Sequence, residues 1–176
     1  MKKSVGVVLV SSLFAAVLAG CGSSPTAEQS GAPVESRSGV VATVNASDVP
    51  GNGLPRVLTD PNSILSKRSV YFDLDSYVVK DEHRELVAAH AKFLTQNQQF
   101  KVLLQGNTDE RGSSEYNLSL GQKRSEALKK SLVLLGVKES QIESVSLGKE
   151  KPKNAGHDEA AWAENRRADI LYSGEF

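Results

Sequence analysis

From Ser69 to Tyr172 the chain alternates short strand-like runs with longer helix-like runs, and this restricts the fold more than any other feature. Ser69 to Leu74 (SVYFDL) is rich in β-branched and aromatic residues and predicts a strand. Lys80 to Gln96 predicts a helix with Leu86, Val87, His90, Phe93 and Leu94 on one face. Asp81 and Glu82 fall in its first turn, where the helix dipole favours acids. Phe100 to Gln105 (FKVLLQ) predicts a second strand, and Gly106 to Glu115 a polar loop. Tyr116 to Leu135 predicts a second helix, capped by Ser113 or Ser114 and closed by Gly136. Leu128, Leu132 and Leu135 are expected on its inner face. Ile142 to Leu147 predicts a third strand, Asp158 to Asn165 a short helix and Ala168 to Tyr172 a last strand. The order βαβαβ(α)β predicts an α/β two-layer sandwich, a four-stranded mixed sheet with helices over one face. The helix between the first two strands predicts that they are parallel neighbours.

The chain has 176 residues and one cysteine, Cys21, so no intramolecular disulfide can form. Lys2 and Lys3 precede an apolar run, Val5 to Ala19, that is shorter than the ~20 residues a membrane span requires. The charge, length and small-residue ending are those of a secretory signal. Leu18-Ala19-Gly20-Cys21 resembles a bacterial lipobox, which implies a signal peptide over 1–20 and lipid on Cys21 as the mature N-terminus. Gly22 is permissive for transfer to the outer membrane, by resemblance to lipoprotein sorting signals. Gly22 to about Arg56 is rich in Gly, Ser, Pro, Ala and Thr and predicts a disordered tether. With Cys21 at its head, the linker is assigned to 21–66 and the domain to 67–176. As a coil the linker would span about 35–40 Å. Asp60-Pro61-Asn62 predicts a turn, and Ile64-Leu65 a short helical lead-in. Lys plus Arg equals Asp plus Glu at 21 each, which argues against a nucleic-acid partner and against electrostatic membrane adhesion. Attachment falls instead to the lipid.

The densest polar constellation is Gly106-Asn107-Thr108-Asp109-Glu110-Arg111-Gly112, where a strand gives way to a helix. Its glycines would allow close approach of backbone to a ligand. Asn117 begins the next helix, and Arg124 follows seven residues later on nearly the same face. Asp109 and Arg124 would thus flank one cleft. A carboxylate and a guanidinium so placed suit a zwitterion, taking its ammonium and its carboxylate. A salt bridge of Arg124 with Asp109 or Glu110 and no ligand is the other reading. Asp73 and Asp75 form a D-x-D pair, which on a strand would share one face. A metal-bound nucleotide sugar at such a pair needs a much larger domain, and no metal site is expected. His90 reads as a packed residue, and His157 as part of a helix start. There is no nucleophile elbow. Asp75 and Asp109 beside Arg124 would stay ionised and serve poorly as general acids, so the chain is not expected to be an enzyme.

Four segments carry a resemblance to a known family: VYFDLDSY (Val70 to Tyr77), GNTDERGSSEYNLSLGQKRSEAL (Gly106 to Leu128), SLGKEKP (Ser146 to Pro152) and GHDEAAWAENRRADILY (Gly156 to Tyr172). In order and spacing they resemble the OmpA-like peptidoglycan-binding domain, and GKEKP and GHDEAAW point to its lipid-anchored members. The resemblance implies that Asp109 contacts the amine of diaminopimelate in a peptidoglycan stem peptide. It implies that Arg124 grips a carboxylate of the same residue and that Asn117 helps to hold the peptide. Phe72, Asp73, Leu74 and Asp75 would form the opposite wall. It implies no cofactor beyond the covalent lipid on Cys21, and an outer-membrane lipoprotein whose periplasmic domain holds the wall. It further implies binding to the β-propeller protein TolB, within the Tol system that acts in envelope integrity and cell division. The loops Gly148 to Pro152 and Gly156 to Trp162 are where that contact is expected, with packing of the short helix an equal account of Trp162. An OmpA-like wall-binding lipoprotein without a TolB partner is the alternative.

Overall fold

The computed structural model describes residues 53–176. The expected signal peptide, Cys21 and most of the expected tether lie outside the described residues. Four strands, β1 (Ser69–Tyr71), β2 (Val102–Asn107), β3 (Ile142–Gly148) and β4 (Arg167–Tyr172), form one mixed sheet in the order β1-β4-β2-β3. Three α-helices, α1 (Arg84–Gln96), α2 (Ser114–Leu134) and α3 (Glu159–Asn165), complete the domain.

The sheet corrects one expectation. β2 and β3 are parallel neighbours, but β1 touches only β4, and β4 runs antiparallel to both β1 and β2. The α1 crossover therefore spans an intervening strand. In this place β4 pairs along both edges, with three residues of β1 on one side and five of β2 on the other. The sheet has one dry face and one half-buried face. Val102, Leu104, Ala168, Ile170 and Tyr172 are buried, and Leu103, Gln105, Asp169 and Leu171 alternate with them as half-buried residues. α2 lies across β2 and β3 and also touches α1. The result is the two-layer sandwich.

α1 begins later than expected, because Asp81–His83 form a 3₁₀ turn ahead of it. Its buried face is Leu86, Val87, His90, Ala91, Phe93 and Leu94. His90 is fully buried, with Nε2 2.9 Å from the Lys67 carbonyl and Nδ1 2.8 Å from the Tyr172 hydroxyl. The carbonyl can only accept, so Nε2 carries the proton and Nδ1 accepts from Tyr172. α2 starts at Ser113, whose hydroxyl accepts from the Tyr116 amide. It ends in a Schellman motif, with Gly136 N–H on Val133 C=O, Val137 N–H on Leu132 C=O, and Gly136 at φ 95°. Leu128 and Leu132 face inward as expected, but Leu135 is half exposed at the helix C-cap.

Two further boundaries move. β2 runs on through Gly106 and Asn107, so Gly106 belongs to the sheet and not to a ligand loop. It is glycine because α2 crosses there: a Cβ on Gly106 would lie 1.8 Å from the Gly121 carbonyl oxygen. The folded body also begins before Lys67. Leu54, Leu58 and Leu65 are buried in the core through two 3₁₀ turns, Arg56–Leu58 and Ile64–Ser66. Leucines spaced among small and polar residues carry no period, which is why that segment reads as linker.

Candidate functional site

A cleft of about 270 Å³ opens where the 108–113 loop, the start of α2 and the 72–77 turn converge. Leu74, Asp75, Asp109, Asn117 and Arg124 all line it, so five of the seven expected wall-contacting residues come together. Phe72 and Asp73 do not line it. β1 ends at Tyr71, three residues before the end of the expected strand, so Asp73 and Asp75 do not share a strand face. Phe72 is buried beneath the Arg124 guanidinium, 5.2 Å from ring centre to cation, and its carbonyl accepts from Arg166 Nε at 3.2 Å. The Asp73 carboxylate faces Lys80 at 3.5 Å. Asp75 occupies the left-handed region at φ 52° and accepts a hydrogen bond from the Tyr116 hydroxyl. These residues shape the wall by turning the chain.

Asp109 and Arg124 do not pair with each other. Asp109 is buried, and Arg111 Nη2 donates to its Oδ2 at 2.7 Å while the Arg111 amide reaches Oδ1 at 3.1 Å. Arg166 Nη1 reaches Oδ2 at 3.3 Å. Burial pushes the Asp109 carboxyl up, but the Arg111 and Arg166 hydrogen bonds outweigh it and hold the group below the ordinary carboxylate value. Arg124 is fully buried and donates to three backbone carbonyls: Ser76 at 2.8 Å, Asn107 at 2.8 Å and Asp73 at 3.1 Å. A guanidinium has five N–H donors, so two remain for a ligand. Burial lowers its pKa to about 10, and it stays charged at neutral pH. Asn117 Nδ2 donates to the Arg111 carbonyl at 2.8 Å and fixes the loop to α2.

Arg111, Arg166, Thr108 and Tyr116 line the same cleft, in addition to the residues expected there. Arg111 and Tyr116 lie inside the quoted loop segment. Arg166 is 57 residues from Asp109, and only the insertion of β4 beside β2 brings it there. Outside the cleft, Glu110 accepts from the Trp162 indole N–H at 2.9 Å and sits 2.8 Å from His157 Nδ1. Those two contacts, Trp162 first, hold the Glu110 carboxyl below its ordinary value. The Arg111 guanidinium stacks over Trp162 at 4.1 Å. Trp162 thus packs α3 onto the loop. A larger groove of about 660 Å³ runs beside β1, lined by Lys67, His83, Glu85 and Lys153 among others. It holds no buried charged side chain, whereas the smaller cleft concentrates buried Asp109, Arg124 and Arg166, and buried charge indicates a site more strongly than volume does. No group of three His, Cys, Asp or Glu residues able to hold a metal occurs among the described residues.

Residues 71–166 match the OmpA family. A peptidoglycan-associated lipoprotein of Pasteurella multocida is 40% identical over 174 residues, covering 98% of this chain and all of the relative. One from Haemophilus influenzae is 47% identical over 104 residues, covering 59% of this chain and 68% of the relative. The crystal structure of the peptidoglycan-associated lipoprotein from Burkholderia pseudomallei superposes with a TM-score of 0.66 at 62% identity, covering 66% of this chain and 99% of that one. The chain belongs to the OmpA family and, within it, to the peptidoglycan-associated lipoproteins. Its relatives are named as lipoproteins and not as enzymes, in keeping with the expectation of a binding protein.

Proposed function

We propose that this chain binds peptidoglycan non-covalently through the diaminopimelate of a stem peptide and so fastens the outer membrane to the cell wall. The observation that carries this reading is the cleft's charge. Three guanidiniums (Arg111, Arg124 and Arg166) and two carboxylates (Asp75 and Asp109) line one small concavity, an arrangement suited to a zwitterion. The side-chain ammonium of diaminopimelate approaches Asp109, and Arg111, the more exposed of its two partners, gives way. The side-chain carboxylate takes the two free N–H groups of Arg124, while Leu74 and Tyr116 form an apolar lip beside the chain's methylenes. Arg124 is held at three carbonyls before the ligand arrives, so little side-chain entropy is lost on binding.

In the same reading, lipid on Cys21 anchors the chain in the outer membrane with the domain in the periplasm, residues 21–52 provide reach, and the chain acts in the Tol–Pal system with TolB. A second cavity of about 410 Å³, lined by Glu110, Lys149 and His157, adjoins the loops expected to meet TolB.

The test is sedimentation of the purified chain with diaminopimelate-type wall, beside lysine-type wall and an Asp109→Asn variant whose circular dichroism matches wild type. Binding to the diaminopimelate wall alone, lost in the variant, is expected. Equal binding of both proteins would overturn the cleft assignment. Arg124→Ala is a poor test, since it strands the buried Asn107 carbonyl and frees the Ser76 and Asp73 carbonyls that shape the cleft wall. Radiolabelled palmitate in wild type but not in Cys21→Ser checks the anchor, and TolB pull-down checks the partner.

A further inference from the structure

The outer edge of β1 carries no strand among the described residues, and two histidines cover its ends. The Arg68 carbonyl accepts from the Ile170 amide at 2.8 Å and the Phe72 amide donates to the Arg166 carbonyl at 2.9 Å, so the even-numbered residues face β4. The backbone groups of Lys67, Ser69 and Tyr71 therefore point outward. His90 Nε2 donates to the Lys67 carbonyl at 2.9 Å, and His83 Nε2 accepts from the Tyr71 amide at 3.0 Å. Between these two clasps, the Ser69 N–H and C=O and the Tyr71 C=O have no partner among the described residues. They open onto the groove of about 660 Å³, which Ile64 and Leu86 also line. An open strand edge is a template for another extended segment.

The chain that leads into the domain supplies an occupant. Ile64 and Ser66 of the second 3₁₀ turn line the groove, and Arg68 Nη2 donates to the Leu58 carbonyl, so the chain enters the folded body on the β1 side. Upstream, Val40-Val41-Ala42-Thr43-Val44 lies outside the described residues. It begins the longest run between Gly22 and Arg56 that is free of Gly, Pro and charge, and four of its five residues are β-branched. Two of the groove's three Lys and Arg side chains are committed, Arg68 to Glu175 and Lys153 to the Tyr71 hydroxyl, which favours an uncharged occupant. Asn45 to Gly53 can span about 30 Å, and Pro50-Gly51-Asn52-Gly53 supplies residues that reverse a chain. We propose that residues 40–44 dock along the outer edge of β1 as a fifth strand, bonded to the Ser69 N–H and C=O and the Tyr71 C=O. Docking itself rests on the edge alone. Its consequence rests on the anchoring reading above: taut, residues 21–52 reach about 110 Å but residues 21–39 only about 65 Å, so docking shortens the tether.

The test uses the full chain with Cys21→Ser, Ala42→Cys and Ala88→Cys, spin-labelled at both cysteines, with the distance read by pulsed electron paramagnetic resonance. Ala88 is exposed on α1, one turn past Glu85 of the groove, so its label leaves the edge clear. One narrow distance is expected. Val41→Pro with Val44→Pro should broaden it, because the pair removes a ladder donor whichever way the strand faces and leaves the domain untouched. In the unlabelled chain the Ser69 amide should exchange about tenfold more slowly than in the proline variant, as for a strand docked about nine-tenths of the time. A broad distribution without the prolines, or Ser69 exchange unchanged by them, would overturn the proposal. A shorter distance from residue 42 to Glu143→Cys on β3 than to Ala88→Cys would overturn it in favour of the other edge. A narrow distance lost on dilution with unlabelled chain would overturn it in favour of a second copy. None of these readouts involves wall, so failure here leaves the anchoring reading intact, and failure to sediment with wall leaves the docking intact.

Discussion

Leu58 lies nine residues before the expected domain boundary, yet it is buried in the core. Its carbonyl accepts from Arg68 Nη2 at 2.9 Å, and that guanidinium lies 4.7 Å from the centre of the Tyr172 ring. Leu58→Ala removes a fully packed isobutyl group. Buried Leu→Ala changes cost about 2–5 kcal/mol, the transfer term plus the residual cavity. Leu58 belongs to a 3₁₀ lead-in that can settle inward, so we expect a value in the lower half of that range, about 3 kcal/mol. That is a large share of the roughly 5–15 kcal/mol that holds a domain together. At roughly 4 °C per kcal/mol for a domain of this size, the melting temperature should fall by about 12 °C. Urea melts of wild type, Leu58→Ala and Leu134→Ala give the comparison. Leu134 is 87% exposed and should change stability by less than about 0.5 kcal/mol. A Leu58→Ala midpoint indistinguishable from that of Leu134→Ala would refute the placement of residues 54–66 in the folded body.

Other outcomes follow from single contacts. Burial lowers the His90 pKa from 6.5 to about 4, so the unfolded chain takes up its proton first as pH falls. Above pH 6.5 the group has no effect. Between pH 6.5 and 4 it should remove about 1.4 kcal/mol of stability per pH unit, about 3 kcal/mol in total, and nothing more below pH 4. His90→Gln keeps a donor for Lys67 and an acceptor for Tyr172 but cannot titrate. Its stability should fall less steeply over that range, and identical slopes would refute the assignment. Gly106→Ala should cost about 3 kcal/mol or more in urea, because backbone must part from backbone where α2 crosses β2, and a wild-type midpoint would count against that close approach.

The local elements are legible in the order of the amino acids. Periodicity placed the α1 face, Leu86 to Leu94, and a serine and a glycine set the ends of α2 at Ser113 and Gly136, because these signals act within a turn or two of the residues that carry them. The motif from Gly106 to Leu128 also brought Asp109, Asn117 and Arg124 to one cleft, since all three lie on a single strand–loop–helix unit. Tertiary structure decided the rest. β4 was legible as a strand, but its place between β1 and β2 depends on pairing both of its edges with distant segments. That placement delivers Arg166 to Asp109, so the carboxylate expected to flank the cleft opposite Arg124 is held by Arg166 as well as by its near neighbour Arg111. The docking of Leu54 and Leu58 depends on a core that exists only once α1, β4 and Tyr172 have met. The open β1 edge at Ser69 likewise has no signature in sequence, because the absence of a partner is a property of everything packed around it.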